Sequence, residues 1–536
     1  MGENLLIIAN LVAAGARDNP DLDVLTFEDQ GAAEIRTYRQ LWENSQRLAA
    51  GLASAGVTRG DRFALLIQNH PEFVELMVAS AILGSVIVPI DPRTRGDKLA
   101  YMLRDSGCVG MVCADYSLAE ALTVCAESPG VAWIAAIGDL AISGAVVPVH
   151  HIGDWLAAAL PSPPLQVAVE SEAEPMQLMY TSGTTGDPKG IVVPHGRFGA
   201  VSLQGEAVFG YRAGDRPYTG LSLTHGNAQF VTLAPSLRMG LRAVFSRKFT
   251  KSRLWDIVRQ HGCTTFSLLG GMVTAIYAEP PKADDAENPV RLVISAGMPA
   301  AIWEAFEQRF AVDIFEFYAA MEGGMTIKPV GQGPVGSCGR VAPGLLARVV
   351  DEDGTELPPG ASGELVFRLE AAPFPPVTYH NNPEASARKV VGGWLLSGDI
   401  VHMDENGWVF YEYRKGGGLR RNGDFVNPAF VERTIAEHAQ VDDIFVYGVP
   451  AANGAPGEKD VVAAIVVTGA ADPASIFSWA AARLEPNMVP TYLQFVPQIP
   501  KTASEKPQER FLIEMFQSGE APVHTMTGHT MQGERA

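Results

Sequence analysis

Apolar and polar residues follow two rhythms along the chain, and the two take turns. Over Tyr38–Leu52 the apolar positions Tyr38, Leu41, Leu48 and Leu52 fall at helical spacing, which predicts an amphipathic helix. Gly60-Asp61-Arg62 then leads into Phe63-Ala64-Leu65-Leu66-Ile67, a run short and apolar enough for a buried strand. Glu72–Leu83 reads as a helix, Ser85–Ile90 as a strand, Lys98–Asp105 as a helix and Val109–Cys113 as a strand. Such alternation predicts a parallel sheet covered by helices, and it resumes between about 177 and 330.

After about 335 the rhythm changes. Leu346–Val350 and Gly363–Phe367 are short strand-like runs separated by a turn at Asp353-Gly354, which predicts a β-rich subdomain over about 335–412. Three successive glycines, Gly416 to Gly418, make the most permissive backbone in the chain and a candidate hinge. Beyond them the pattern is α+β: helix Pro428–His438, strands Ile444–Val449 and Val461–Val467, and helix Ala474–Leu484. Residues 516–536 are polar and read as a flexible tail. The expected fold class is α/β. A large multi-subdomain N-terminal domain spans 1–413, and a small mobile α+β domain spans 414–515.

Composition narrows the function classes. Of 536 residues 47% are hydrophobic and 19% charged, which fits a folded core and excludes global disorder. Acidic residues outnumber basic ones 60 to 41, a net charge of −19, so the basic face that nucleic-acid binding needs is not expected. Five cysteines, an odd number with no CxxC spacing, point away from a disulfide framework or zinc site and towards small buried residues in a reducing compartment. Val131–Val149 has a single charge, Asp139, but turn signals at Gly138-Asp139 and Ser143-Gly144 cut it below membrane-spanning length. Met1 to Leu6 lacks the basic start of a signal peptide, so a soluble cytoplasmic protein without integral membrane association is expected. A homodimer is among the assemblies the sequence leaves open.

The densest chemical signal is Met179-Tyr180-Thr181-Ser182-Gly183-Thr184-Thr185-Gly186-Asp187-Pro188-Lys189-Gly190, directly after an apolar strand. Glycines let backbone N–H groups approach an anion, hydroxyls donate further hydrogen bonds, and a lysine adds a point charge, so the segment reads as a phosphate cradle. It is not a Walker motif, because Gly190 rather than Ser or Thr follows Lys189.

This segment resembles the phosphate-loop signature of the adenylate-forming enzymes: acyl-CoA synthetases, adenylation domains and luciferases. The resemblance runs from about Thr37 to Leu512, nearly the whole chain. It implies that Thr181, Ser182, Gly183, Thr184, Thr185, Gly186 and Lys189 hold the phosphates of ATP. Tyr318-Ala319-Ala320-Met321-Glu322 is similar to the family's Tyr-Gly-x-Thr-Glu, with Met321 at the usual threonine. Tyr318 would then stack on adenine and Glu322 would hold Mg²⁺, a hard cation that prefers oxygen ligands. Gly393-Trp394-Leu395-Leu396-Ser397-Gly398-Asp399 matches Gly-Trp-x-x-Thr-Gly-Asp, which implies that Asp399 accepts from the ribose hydroxyls, with Arg414 reaching the ribose or α-phosphate.

In the family a polar residue sits at the hinge, where this chain has Gly416. Gly423 would let the backbone approach the pantetheine arm of coenzyme A, with Arg420 and Arg421 beside it. Pro500 to Lys506 resembles the family's Pro-x-x-x-x-Gly-Lys ending, which makes Lys506 the mobile catalytic lysine and Lys501 the runner-up; Glu505 stands where the glycine is usual. Leu221–Phe230 falls at the family's acyl-pocket entry, which brings in His225, where the carboxylate passes, and Asn227. Pocket walls would come from Gly270, Gly271, Met272 and Ala296, with Ala319 and Ala320. Gly297, Met298 and Pro299 would line the adenine slot. Gly226, Gly270, Gly271, Ala319 and Ala320 suggest a roomy pocket for a cyclic, aromatic or branched acid. His195 reads as a structural cap.

The resemblance therefore implies a carboxylic acid–CoA ligase that uses ATP, Mg²⁺ and coenzyme A. It forms acyl-AMP and pyrophosphate, then acyl-CoA and AMP. Gly271–Asp285 and Asn487–Tyr492 place the chain nearest the carnitine/crotonobetaine-CoA ligases within the family. The alternatives are an adenylation enzyme that charges a carrier protein, a luciferase-like oxygenase and a nucleotide-binding pseudo-enzyme. Met321, Gly416 and Glu505 motivate the last.

Overall fold

The computed structural model of the chain describes all residues except 1–2, 141–144, 182–187, 416–418, 422–423, 427, 452–458, 485, 487, 503–504, 506, 527–529 and 532–536. The chain divides into two compact units: residues 1–345 with 368–395, and residues 346–367 with 396–536.

In the first unit the described residues form two large sheets. One has seven strands in the order Val149–His151, Trp133–Ile137, Cys108–Ala114, Arg62–Leu66, Val86–Pro89, Pro175–Thr181, Lys189–Pro194. All neighbours are parallel except the last pair, an antiparallel hairpin. The other has nine strands. Six are parallel at its centre (Asp23–Asp29, Ala243–Ser246, Pro217–Thr219, Thr265–Leu269, Leu292–Ala296, Asp313–Ala320), and antiparallel strands flank them on both sides.

The first helix–strand alternation is found where the pattern placed it. Tyr38–Ser54 is a helix opened by a capping box: the Thr37 hydroxyl accepts from Gln40 N at 3.1 Å and the Gln40 side chain accepts from Thr37 N at 2.9 Å. Such a cap is worth about 1 kcal/mol. Pro71–Leu83 is apolar nearly all round because it is buried nearly all round. In Arg62–Leu66 successive side chains go to opposite faces: Phe63 and Leu65 join one core, Ala64 and Leu66 another. Val131–Val149 breaks into the strands Trp133–Ile137 and Val149–His151. No helix among the described residues is long and apolar enough to cross a membrane. All five cysteines are buried and unbridged.

The second unit holds most of a sheet built from Leu345–Val350, Gly363–Leu369, Trp394–Met403 and Val409–Arg414. Its last two strands pair antiparallel, with Asp399 opposite Arg414. A further sheet has the order Val441–Pro450, Lys459–Val467, Tyr492–Phe495, Val523–Thr525, Thr530–Met531. Val461, Ala463 and Ile465 pack on one face with helices Pro428–Ala436 and Pro473–Ala481, and Val462 and Ala464 pack on the other with Leu512 of helix Glu509–Ser518. Within 516–536, expected as a flexible tail, Val523–Thr525 pairs antiparallel with Tyr492–Phe495. Ala521 and Val523 are buried there, and that apolar burial holds a segment whose polar average concealed it.

Candidate active site

In the nine-stranded sheet Thr265–Leu269 and Leu292–Ala296 end together, Leu269 in register with Ala296, and the neighbouring Asp313–Ala320 runs on past them. Gly270–Met272, Ala296–Pro299 and Tyr318–Glu322, all singled out from sequence, lie at the carboxyl ends of three adjacent strands. That edge is where open α/β sheets bind ligands. Two of the loops touch through backbone: a Cβ at Gly270 would lie 2.5 Å from the Gly297 carbonyl oxygen, and Gly297 has φ +96°. Only glycine fits both demands.

The residue that fixes this edge escaped the sequence reading. Glu316 is 2% exposed, and its carboxylate accepts from Gly297 N at 2.5 Å and Met298 N at 3.2 Å. Burial pushes its carboxyl up to about 7, against the opposing pull of those N–H groups and of Lys328. Lys328 in turn stacks over the Trp303 ring at 3.8 Å. A carboxyl that keeps its proton longer when folded loses stability as pH rises from the ordinary carboxylate range through about 7. Glu316→Gln keeps an acceptor oxygen and has no proton to lose. Wild type is expected to lose roughly 1–3 kcal/mol relative to this variant between pH 5 and pH 8. Denaturant melts at both pH values check this, and parallel profiles would refute it.

Thr181 and Lys189 face each other across the hairpin that carries the phosphate-loop sequence. Ser182, Gly183, Thr184, Thr185 and Gly186 lie outside the described residues. The hairpin is stitched to residues 378–380: Val192 N donates to Thr378 O at 3.0 Å, and His380 N donates to Gly190 O at 2.7 Å. This places Tyr379 between the two halves of the site. The Lys189 ammonium lies 5.9 Å from the centre of its ring, and its hydroxyl donates to Glu322 at 2.6 Å. Lys389 Nζ is 3.7 Å from the same carboxylate. Arg197 feels the charge of Glu322 while its guanidinium donates to Ala320 O at 3.0 Å. Tyr379, Lys389 and Arg197 were not singled out from sequence. Long gaps in the chain separate them from Glu322, and each alone is an unremarkable residue.

Glu322 sits among cations and carries a carboxylate. Among the described residues no group of three or more His, Cys, Asp or Glu could hold a metal by itself. One carboxylate completed by phosphate oxygens and water nevertheless suits Mg²⁺, which is commonly held that way.

Leu221–Phe230 leads into a helix that widens to i→i+5 hydrogen bonding over Ala228–Leu233, a feature frequent at functional sites. His225 Nδ1 accepts from Asn227 N at 3.1 Å, and burial pushes the imidazole down to about 4, so the ring is neutral near pH 7. The glycines read as making a roomy pocket do something else. A Cβ at Gly226 would lie 2.5 Å from the Met321 sulfur, and that at Gly270 would strike the Gly297 carbonyl. The space freed at these positions is filled by neighbours. Met272 is buried; Gly271 and Ala319 are exposed; Tyr318 and Ala320 are half-buried at the end of their strand. His195 makes no capping hydrogen bond, and both its ring nitrogens are buried without partners.

In the second unit Asp399 is 4% exposed and takes a 2.8 Å hydrogen bond from Arg414. Glu364 ties together the neighbours of both residues, accepting from Gly398 N at 2.9 Å and Lys415 Nζ at 2.8 Å. Arg421 donates to the Val489 carbonyl. Gly416, Gly423, Lys506 and the side chain of Arg420 lie outside the described residues. Lys501 is paired with Asp443 at 2.5 Å. Glu505 has φ +60°, the left-handed region that favours the glycine usual there. Glu505→Gly is therefore expected to stabilise the protein by about 1 kcal/mol. A lower denaturation midpoint for the variant would show that the Glu505 side chain holds the loop.

Comparison with known proteins also finds two parts, with a later boundary than that of the compact units. The family model of the AMP-binding enzymes matches residues 12–371, and that of the AMP-binding enzyme C-terminal domain matches residues 431–506. A fatty acid–[acyl-carrier-protein] ligase, ScoC, of Streptomyces coeruleorubidus is 30% identical over 501 residues, 90% of this chain and 91% of its own. Long-chain fatty acid transport protein 1 of Homo sapiens is 28% identical over 512 residues, 90% of this chain and 79% of its own. The fold is shared with the anthranilate CoA ligase AuaEII, solved with anthranoyl-AMP, at a TM-score of 0.81 and 24% identity, covering 96% of this chain and 98% of that one.

Proposed function

The chain belongs to the AMP-binding enzymes, and from that premise we propose that it is an ATP-dependent, AMP-forming ligase joining a carboxylic acid to coenzyme A. The observation that carries the reading is the meeting of the phosphate-loop hairpin with Glu322 through Tyr379, beside the carboxyl ends of the parallel strands.

The roles follow from the side chains. Lys189, with Thr181 and the loop hydroxyls and N–H groups, holds the phosphates and offsets negative charge as the carboxylate attacks the α-phosphorus. Glu322 would hold Mg²⁺, which when bound supplies charge neutralisation on the phosphates. Gly297, Met298 and Pro299, kept in place by Glu316, form one wall of the adenine slot, and Tyr318 stacks on the base. Neutral His225 stands where the carboxylate enters and can donate a hydrogen bond without trapping the anion as an ion pair. Asp399, oriented by Arg414, accepts from the ribose hydroxyls. Residues 414–515 act as a lid hinged at Gly416. The lid brings Lys506 to the first reaction and Gly423, Arg420 and Arg421 to the thiol acceptor, because one site serves two reactions.

If Asp399 holds the ribose through both steps, Asp399→Ala weakens ATP and acyl-AMP binding together, by about 10- to 100-fold, the range for a hydrogen bond to a charged group. Calorimetric titration measures it, and unchanged ATP affinity would remove Asp399 from the site. The overall reading is tested by supplying ATP, a panel of aliphatic, aromatic and alicyclic acids, and CoA. CoA-dependent AMP release with at least one acid is the expected result. The name of the Streptomyces relative, a carrier-protein ligase, favours a second acceptor. Release of AMP with a phosphopantetheinylated carrier protein but not with CoA would select that alternative.

A further inference from the structure

Among the buried polar groups of the acyl-pocket helix, Asn227 stands apart. Gln229, on the same helix, is satisfied on both sides of its amide: its nitrogen donates to Gln177 at 3.0 Å and to Leu223 O at 2.7 Å, and its oxygen accepts from Gln177 at 2.8 Å. Thr232 bonds Ser267, Ser267 bonds Thr219, and Ser236 donates back to Thr232 O. Asn227 is 8% exposed, and both its amide oxygen and its amide nitrogen are buried without a partner. It lies at the start of the widened turn, yet its side chain caps nothing. A buried amide left unmade on both sides is destabilising, and protein interiors rarely leave one so.

We propose that the Asn227 carboxamide is the specificity contact of the acid pocket, and that the acid this enzyme activates carries a neutral hydrogen-bonding group, a hydroxyl, carbonyl or carboxamide, that meets it. The proposal rests on the ligase reading and adds the substrate's chemical class to it. A carboxamide offers N–H donors on its nitrogen and an acceptor oxygen, so its complement is a polar group that donates, accepts or does both rather than an alkyl chain. Arg197, a cation of this neighbourhood, lies 6.0 Å from the centre of the Phe230 ring and is answered by Glu322. A second carboxylate on the acid would therefore meet charge already neutralised. Met321 packs beside the residue next to Asn227, its sulfur occupying the space over Gly226. A thioether side chain is unbranched and readily re-packed, so a shift of Met321 is the least costly way to make room beside residues 226–227 for the polar group.

The test uses the full chain and matched acids: octanoate against 8-hydroxyoctanoate, cyclohexanecarboxylate against its 4-hydroxy and 4-oxo forms, and benzoate against 4-hydroxybenzoate and 4-carbamoylbenzoate. The readout is kcat/KM for CoA-dependent AMP release. In wild type at least one polar acid is expected to exceed its plain counterpart tenfold or more, because a site built to hydrogen-bond a group discriminates against the analogue that lacks it. In Asn227→Leu and Asn227→Ala that ratio is expected to fall to one or below. Equal or better use of every plain acid by wild type, or a preference that survives both substitutions, overturns the proposal. Thermal melts of the ligand-free proteins give a readout independent of turnover. Asn227→Leu removes an unmade amide and raises Tm by roughly 1–2 degrees; a drop means that the amide serves the fold and overturns the proposal. Were no acid of either kind to yield AMP, the ligase reading itself would fail, and the melts alone would decide the role of Asn227.

Discussion

Glu322→Gln is expected to slow acyl-adenylate formation by about 10²–10³-fold, the scale for removing one preorganised electrostatic group from a reaction centre. The carboxylate has two duties. In the proposed site it would present oxygen towards the phosphates, and it balances the cations gathered around it: Lys389 at 3.7 Å, and Arg197, which feels its charge. Glutamine keeps the shape and can still accept from Tyr379, whose hydroxyl lies 2.6 Å away, but it balances nothing. Breaking a buried ion pair from one side typically costs ~3–5 kcal/mol, so the variant is also expected to melt earlier. Tyr379→Phe separates the duties, since it removes one hydrogen bond and leaves the charges. Its expected loss is about tenfold in rate, with little change in stability. Single-turnover formation of acyl-AMP, followed beside the melts, checks both variants. A Glu322→Gln enzyme that forms adenylate at the wild-type rate would take Glu322 out of the site.

Lys506→Ala is expected to slow the same step by about 10²–10³-fold and to leave thioester formation from supplied acyl-AMP nearly unchanged. A lid lysine can stabilise charge only while the closed site excludes water, and in the proposed cycle it is close only for the first reaction. The runner-up, Lys501, is occupied: it pairs with Asp443 at 2.5 Å, with both side chains more than a quarter exposed. An ion pair so placed is worth at most about 1 kcal/mol. Lys501→Ala is thus expected to change stability slightly and both half-reactions hardly at all. Assaying the half-reactions separately in the two variants is decisive. Normal adenylation by Lys506→Ala, with impaired adenylation by Lys501→Ala, would exchange their roles.

What could be read from the sequence divides along physical lines. Local periodicity set the helices and strands from Tyr38 to Cys113, because burial on one or both faces imposes a rhythm that needs no tertiary knowledge. Asp399 and Arg414 were named from two separate motifs and meet because their strands pair in register. The network around Glu322 was invisible: Tyr379 is 57 residues away along the chain, and neither it nor Lys389 stands in a pattern of hydroxyls and glycines. Glu316 was missed because a carboxylate in an apolar strand announces neither its burial nor its backbone partners. Gly226 and Gly270 were misread for the opposite reason. In sequence a missing side chain reads as open volume, whereas here it marks the close approach of Met321 and of the Gly297 carbonyl. The unpaired state of Asn227 is a property of its surroundings, and only coordinates display it.

The central claim is that this chain activates a carboxylic acid as its adenylate. Exchange of labelled pyrophosphate into ATP, measured without coenzyme A across the acid panel, tests it most directly. Exchange is expected to require an added acid, to proceed without CoA and to fall at least a hundredfold in Glu322→Gln. ATP binding with no exchange for any acid, or exchange at the same rate without acid, would contradict it.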